Sequence, residues 1–569
     1  MGYGANASLP EATTCCVILH FIRPESGGQA RRKSGTKSLE GSVGLRRSPR
    51  WSLRQSRVLF HFSALQFTGG CLARETRVFD SAKELDTALS KTPKPWHPEV
   101  MPQDHQILVW LLRREQSSIL WPIRCSTLLE GLTVKMTLSP CRPVLMLALL
   151  AIPFLDLRAQ ETTASVVALK ASVDRADAIY KVGELATFTI EAELDGKPLP
   201  EGNVVCVLSK DGYQPQPQQT VVVKDGKATL TGKLDEAGFL LLRATVGKTT
   251  VMAAAAYDPL QLKPSLPVPD DFDEFWSAQK AALAKVPVKA TLTSVTSPAK
   301  GVEAFDVQVD CLGKPVSGYY GRPQNAKPKS LPAILFVHGA GVRSANLGST
   351  HWANNEGGML AFDINAHGIP NGKPAEFYTA LAEGELKDYR SIGRTSREEC
   401  YFTGMFLRMV RAIDFLAEQP EWDGKTVIVY GSSQGGFQAL VAAGLDNRVT
   451  FICAGVPAGC DHTGSAANRI SGWPKIVPND DQGKPDAAVL QASRYIDCVN
   501  FAARAKCKGA AVTVGFIDTT CPPTGIYAAY NALPVPKAMH ADVLAGHTNT
   551  PGASKFMQES AFKHVRDMK

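Results

Sequence analysis

Val427-Ile428-Val429-Tyr430-Gly431-Ser432-Ser433-Gln434-Gly435-Gly436-Phe437 reads as an apolar strand that runs into Gly-x-Ser-x-Gly and continues as a helix. At such an elbow the backbone turns so sharply that the positions two before and two after the serine must be nearly free of side chain. Gly431 and Gly435 meet that need and leave Ser433 held out in a strained conformation. The helix starting at Gln434 offers unpaired N–H groups and a positive dipole end where an oxyanion would develop. A purely structural glycine-rich turn is the alternative, and the strand–turn–helix context favours a nucleophile.

A serine hydroxyl attacks poorly until a positioned base takes its proton. With an elbow serine the chain order is nucleophile, acid, histidine, the last two on loops after later strands. His462, His540, His547 and His564 follow Ser433. His547, in Ala545-Gly546-His547-Thr548 just past an apolar run, is the candidate base. His462 comes too early, His540 sits within the run as a core histidine would, and His564 belongs to a C-terminal helix pattern. Asp518 directly follows the apolar run 512–517 and precedes Cys521-Pro522-Pro523, so it stands at a strand's edge as the candidate acid. Asp542 competes but falls in the last strand pattern. The oxyanion donors expected are the backbone N–H of Gln434 and that of Ala340, in His338-Gly339-Ala340-Gly341 after a strand ending at Val337. The same Gly-x-Gly could open a dinucleotide fingerprint, but its third glycine position holds Ser344.

Short apolar runs at 334–337, 360–364, 426–430, 449–454, 511–517 and 538–544 alternate with helical segments. That pattern predicts a mostly parallel, doubly wound sheet covered on both faces, an α/β domain over 270–569. Its clearest helix is predicted over 397–418, with Phe402, Phe406, Met409, Ile413 and Leu416 on one stripe. Runs between 288 and 320 look antiparallel. Asp271 and Glu274 resemble a capping box ahead of Phe272, Phe275, Trp276, Gln279 and Leu283 at helical spacing. The segment 370–396, between a strand and a helix, is expected to act as a lid or pocket wall.

Upstream, Pro264, Pro267 and Pro269 mark a stiff linker at 259–269. Before it, residues 160–258 alternate as strands do. Ala186, Phe188, Ile190, Ala192 and Leu194 share one face, and Asp195-Gly196 and Asp225-Gly226 supply turns. A small immunoglobulin-like β-sandwich is expected. It carries no cluster of catalytic residue types, so a spacer or binding module is the default reading.

Met136, Arg142, the apolar run 144–155 and the small Ala159 before Gln160 compose a secretory signal pattern over 136–159, too short for a bilayer span. Export signals act from an N-terminus, so translation is expected to start at Met136, with 1–135 a disordered or misassigned extension. The mature protein would then be secreted or periplasmic. A genuine extension followed by a buried apolar segment is the alternative. Residues 1–135 hold 19 Lys+Arg against 11 Asp+Glu, an excess equal to the chain's net +8. The rest balances at 43 of each sign, so no basic field attracts nucleic acid. From residue 160 on there are eight cysteines, open to disulfides or to buried thiols. Cys-x-x-Cys and His-Glu-x-x-His are both lacking, which argues against a zinc site.

Taken together, Asp271-Phe272-Asp273-Glu274-Phe275-Trp276, Phe336-Val337-His338-Gly339, Arg411-Ala412-Ile413-Asp414-Phe415-Leu416, the Ser433-Gln434-Gly435-Gly436 elbow and Asp518-Thr519-Thr520-Cys521-Pro522-Pro523 resemble the acetyl xylan esterase and cephalosporin-C deacetylase family, α/β-hydrolases also called carbohydrate esterase family seven. The resemblance implies a secreted serine esterase that removes acetyl groups from acetylated sugars or xylan through an acetyl-enzyme. It implies Ser433, Asp518 and His547 as triad, Ala340 and Gln434 as oxyanion donors, and no metal or organic cofactor. The partner is an acetylated saccharide or other small acetyl ester, with neither nucleic acid nor an integral membrane span. Such proteins are often hexameric, which leaves a homo-oligomer open. The chain departs from the family where Arg-Gly-Gln is usual and it reads His367-Gly368-Ile369, where Glu follows the histidine and it has Thr548, and where Tyr often stands and it has Ala340. Two other readings are a prolyl-oligopeptidase-like serine peptidase and a carbohydrate-binding or surface protein with a vestigial hydrolase domain.

Overall fold

A computed structural model describes residues 60–68, 71–79, 167–213 and 215–569. The expected signal segment 136–159 lies outside the described residues. So does 1–135, apart from the antiparallel strands β1 (Phe60–Thr68) and β2 (Cys71–Phe79), which belong to a unit of their own. Residues 153–569 make the other unit, built on two nine-stranded sheets.

The first sheet comprises β3 (Val167–Val173), β4 (Ile179–Tyr180), β5 (Ala186–Leu194), β6 (Lys197–Pro198), β7 (Glu201–Lys210), β8 (Gln219–Lys224), β9 (Lys227–Gly232), β10 (Gly238–Val246) and β11 (Thr249–Tyr257). They follow the path β3-β5-β9-β8-β7-β10-β11-β4, with β6 on β5. Phe188 and Ile190 of β5, Val204 and Cys206 of β7, and Leu240 and Leu242 of β10 share one core, so the path folds over into two layers. In β10 and β11 the alternation of apolar and polar residues gives way to Phe239-Leu240-Leu241-Leu242 and four alanines at 253–256. A strand buried on both faces reads this way. Leu240, Leu242, Ala253 and Ala255 face the sandwich core. Phe239, Leu241, Ala254 and Ala256 join the core of the next domain, where Phe239 meets Phe516 edge-on at 5.0 Å and Tyr527 at 5.6 Å.

The Pro-rich segment after β11 is fixed along its length. Asn531 Nδ2 donates to the carbonyls of Pro259 and Leu262 (3.0 and 2.9 Å), Asp461 accepts from Ser265 N and Oγ (2.8 and 2.6 Å), and Arg494 Nη2 donates to Pro267 O (2.6 Å). It is a strap rather than a free spacer. Helix α1 (Phe272–Ala284) buries Phe272, Phe275, Trp276 and Leu283. Its N-cap makes no side-chain cap bond, so the expected capping box does not form. The Asp271 carboxylate turns outward, accepting from Arg397 Nη1 (2.5 Å) and the Tyr495 hydroxyl.

The second sheet contains β12 (Ala290–Val295), β13 (Val302–Val309), β14 (Val316–Pro323), β15 (Leu331–Val337), β16 (Leu360–Ile364), β17 (Trp422–Ser432), β18 (Phe451–Gly455), β19 (Gly509–Gly515) and β20 (Lys537–Asp542), in the order β12-β13-β14-β16-β15-β17-β18-β19-β20. Pairings up to β14–β16 are antiparallel and those from β16 to β20 parallel. The helices are α2 (Ala375–Glu383), α3 (Tyr401–Ala417), α4 (Gln434–Leu445), α5 (Ala487–Ser493), α6 (Cys498–Ala502), α7 (Pro523–Ala532) and α8 (Pro551–Met568). Strand β15 shows how both faces are covered. Leu335 and Val337 pack with Phe402, Phe406 and Phe437 of α3 and α4, while Ile334 and Phe336 pack with Met557, Ala561 and Val565 of α8.

The helix expected from 397 begins four residues later, because Cys400 has extended ψ 126° and Arg397 is drawn to Asp271. Among the described residues no helix is long and apolar enough to cross a membrane. The eight cysteines from residue 160 on are free thiols, all buried but Cys311.

Candidate active site

Strand β17 delivers Ser433 at φ 57°, ψ −120°, a left-handed conformation that a residue bearing a Cβ adopts only when its surroundings impose it. Its N–H donates to Gly455 O (2.8 Å) and its carbonyl accepts from Ala458 N (3.0 Å), which pins the turn to the neighbouring strand. The flanking glycines have a steric cause. A Cβ on Gly431 would lie 2.5 Å from Val337 O, and one on Gly435 2.0 Å from the same oxygen.

Asp518 stands in the loop after β19, its side chain fully buried. One oxygen, Oδ1, accepts the N–H groups of Thr520 and Cys521 (2.8 Å each), and Oδ2 faces His547 Nδ1 at 2.7 Å. Because a carboxylate oxygen at that distance accepts, Nδ1 carries the proton and Nε2 is left as the acceptor. Nε2 lies 2.9 Å from Ser433 Oγ. Residues from three separate loops thus meet in the chain order read from the sequence.

The histidine loop, between β20 and α8, is fixed by neighbours that sequence reasoning missed. Asn549 Oδ1 accepts from Thr513 Oγ1 (2.6 Å) and Asn549 Nδ2 donates to Ser432 Oγ (2.7 Å), tying the loop to β19 and to the residue before Ser433. A threonine inside an apolar strand and an asparagine two places after the histidine were the available signals. Thr550 caps α8 and donates to Asp542 Oδ2 (2.7 Å), so the competing acid is occupied elsewhere. His540 lies 3.3 Å from that same oxygen. His462 is a core histidine with its ring edge-on to Phe437, and burial pushes it down to about 3. His564 Nε2 sits 2.9 Å from Thr450 Oγ1, and burial lowers it to about 4.

His338 Nε2 accepts the N–H of Ala366 (3.0 Å), which puts the proton on Nδ1, and Nδ1 donates to Gly339 O at 2.6 Å. Burial pushes His338 down to about 4, so the ring stays neutral. Arg343 Nη2 donates to the same carbonyl (3.2 Å). The Gly339 carbonyl and the Ala340 N–H belong to one trans peptide, so holding the oxygen aims the N–H the opposite way. Among the described residues neither the N–H of Ala340 nor that of Gln434 has an acceptor. The Gln434 side chain is fully buried, and its Oε1 accepts from the Tyr389 hydroxyl at 2.6 Å. Within 370–396, Tyr378 and Leu386 pack with Ile369 and Val342, so this excursion carries a small core of its own against the loop after β15.

Asp518, Cys521 and His547 also bring ligand-type atoms within 4.8 Å of one another. His547 and Asp518 are bonded to each other there, and burial pushes the Cys521 thiol far above its usual range, which disfavours the thiolate a metal would need.

A family model described as acetyl xylan esterase (AXE1) matches residues 258–567, starting in the strap. The acetyl esterase Axe7A of Xylanibacter ruminicola is 32% identical over 373 residues, which span 64% of this chain and 83% of that protein. Among solved structures, the acetyl xylan esterase from Paenibacillus sp. R4 is 30% identical, covers 53% of this chain and 97% of its own, and gives a TM-score of 0.46. Acetyl xylan esterase 1 from Thermoanaerobacterium sp. JW/SL YS485 is 22% identical with the same coverage and a TM-score of 0.42.

Proposed function

The chain belongs to the acetyl xylan esterase family, and on that premise we propose that it is a secreted or periplasmic enzyme that deacetylates xylan or related acetylated saccharides with Ser433, His547 and Asp518. It is a carboxylic-ester hydrolase of the acetyl esterase kind. The observation that carries the mechanism is the continuous Asp518–His547–Ser433 contact, 2.7 Å and then 2.9 Å.

His547 Nε2 takes the Ser433 proton as Oγ adds to the acetyl carbonyl. The carbonyl pair moves onto oxygen, and the N–H groups of Ala340 and Gln434 stabilise that charge. When the oxyanion collapses the sugar alkoxide leaves, and His547 returns the proton to it. Water, activated by the same imidazole, then cleaves the acetyl-enzyme, giving acetate and restoring the Ser433 hydroxyl. Asp518 holds the tautomer and balances the imidazolium.

The sequence 136–159 supports export, and N-terminal sequencing of the secreted protein tests it. A mature product retaining residues before Met136 overturns that part. For the chemistry, Ser433→Ala should lower turnover of 4-nitrophenyl acetate, and acetate release from acetylated xylan, by at least ~10³-fold. Cleavage of a peptide substrate in preference to either acetyl ester would restore the peptidase reading. Unchanged ester turnover in Ser433→Ala would remove the nucleophile assignment.

A further inference from the structure

The two proposed oxyanion donors come from segments with no covalent reason to lie at a fixed separation. Ala340 is on the loop after β15, and Gln434 opens α4 about ninety residues later. One buried side chain stands between their supports. His367 is 1% exposed, its Nε2 lies 3.2 Å from Gly341 O, and its Nδ1 lies 2.7 Å from the Tyr401 hydroxyl. The carbonyl can only accept, so Nε2 carries the proton and Tyr401 donates to Nδ1. The edge of the ring meets Tyr389 at 4.7 Å and 77°, and the Tyr389 hydroxyl donates to Gln434 Oε1. The peptide just before it is clamped as well, with Arg408 Nη2 donating to Ala366 O (2.8 Å) and the Ala366 N–H binding His338.

We propose that His367 is a positioning residue that sets the spacing of the oxyanion donors, holding the Ala340 loop through Gly341 and the elbow residue through Tyr389. This inference rests on the reading that Ala340 and Gln434 bind the oxyanion. The role needs a neutral ring with one donor and one acceptor. Burial and the charges of Arg408 and Arg343 push its pKa down to about 3. A guanidinium at this position could donate to Gly341 but could not accept from Tyr401. Loss of the ring would let the loop and the elbow drift apart. A misplacement of about an ångström in such a site costs roughly 10²-fold in rate.

The full chain carrying His367→Leu, His367→Gln or Tyr401→Phe is to be compared with wild type and with Ser433→Ala on 4-nitrophenyl acetate. Trifluoroacetone is the second probe. Ser433 Oγ adds to its carbonyl, His547 takes the proton and the electron pair moves onto oxygen, so its affinity reports oxyanion binding directly. His367→Leu should lower kcat by roughly 10- to 100-fold with KM within about threefold, and weaken trifluoroacetone by a similar factor. His367→Gln keeps a donor and an acceptor, so it should recover most of both. Tyr401→Phe removes only the donor to Nδ1 and should lower kcat several-fold with the melting temperature kept, which covers the case in which the leucine variant does not fold.

An inactive Ser433→Ala beside a His367→Leu enzyme with wild-type kcat would overturn the inference and leave the proposed function standing. A kcat loss in His367→Leu with unchanged trifluoroacetone affinity would overturn it too. An active Ser433→Ala would instead remove the functional reading on which it rests.

Discussion

Gly435 has only a hydrogen where any other residue would drive a Cβ to 2.0 Å from Val337 O. That oxygen is backbone in the middle of the sheet and cannot step aside, so Gly435→Ala should displace the elbow. Esterase activity should fall with a lowered melting temperature, and an alanine enzyme with wild-type values would contradict the steric account. Asp518→Asn separates orientation from charge. The amide oxygen can still accept from Thr520 and Cys521, but its NH₂ then faces His547 Nδ1. The imidazole must turn its acceptor that way, and Nε2 is left protonated and unable to take the serine proton. A drop of ~10³- to 10⁴-fold in kcat is expected with a melting temperature close to wild type. A loss under tenfold would show that the tautomer is not set by Asp518.

Strand β7 ends at the contact between the two sheets. Asp211, just past it, is buried against α7, where Oδ2 accepts from the Thr524 hydroxyl and Oδ1 finds no partner. Burial outweighs that bond and the nearby Lys210 and Arg469, and raises the carboxyl to about 7 from its ordinary 3.8. Between about pH 4 and pH 7 the folded protein therefore holds a proton that the unfolded chain has released. The contribution of this group to stability is whole below about pH 4 and falls as pH rises through about 7. Asp211→Asn keeps an acceptor for Thr524 and has nothing to titrate. The melting temperature of the variant relative to wild type should climb from pH 5 to pH 8, and parallel curves would rule the linkage out. Helix α3 starts later than its own sequence pattern suggests. Periodicity alone extends it to 397, yet an ion pair with a residue 126 positions earlier pulls Arg397 out of the helical pattern.

Across the whole molecule the β-sandwich is a buttress. Phe239 and Leu241 project from β10 into the core that holds Phe516 and Tyr527, flanking the strand and helix on either side of Asp518. Each such side chain contributes about 1.5–3 kcal/mol on burial, so the interface is worth several kcal/mol. A chain beginning at Asp258 should be insoluble, or should melt at least ~10 °C lower with reduced esterase activity. Equal stability and turnover would restore the sandwich to a mere spacer. Leu241→Asp tests the same surface within the intact chain, and a clear loss of melting temperature is expected because an unpaired carboxylate would be buried there.

What depends on neighbours along the chain was legible before folding. The alternation of β5, the continuous apolar strands of the parallel sheet and the glycine-flanked turn at Ser433 follow from side-chain period and local sterics, and the order serine, acid, histidine narrows the candidates to a few positions. What depends on distance between remote segments emerged only in the folded chain. Asp271 and Arg397 abandon the local patterns they suggest because each finds a stronger partner far away. The second apolar face of β10 was written in the chain, but what covers it was not. The proton positions on His338 and His367 likewise come from carbonyls, amides and hydroxyls that only folding brings within 3.2 Å. A pattern along a polypeptide records which face a residue turns inward, and the fold supplies what that face meets.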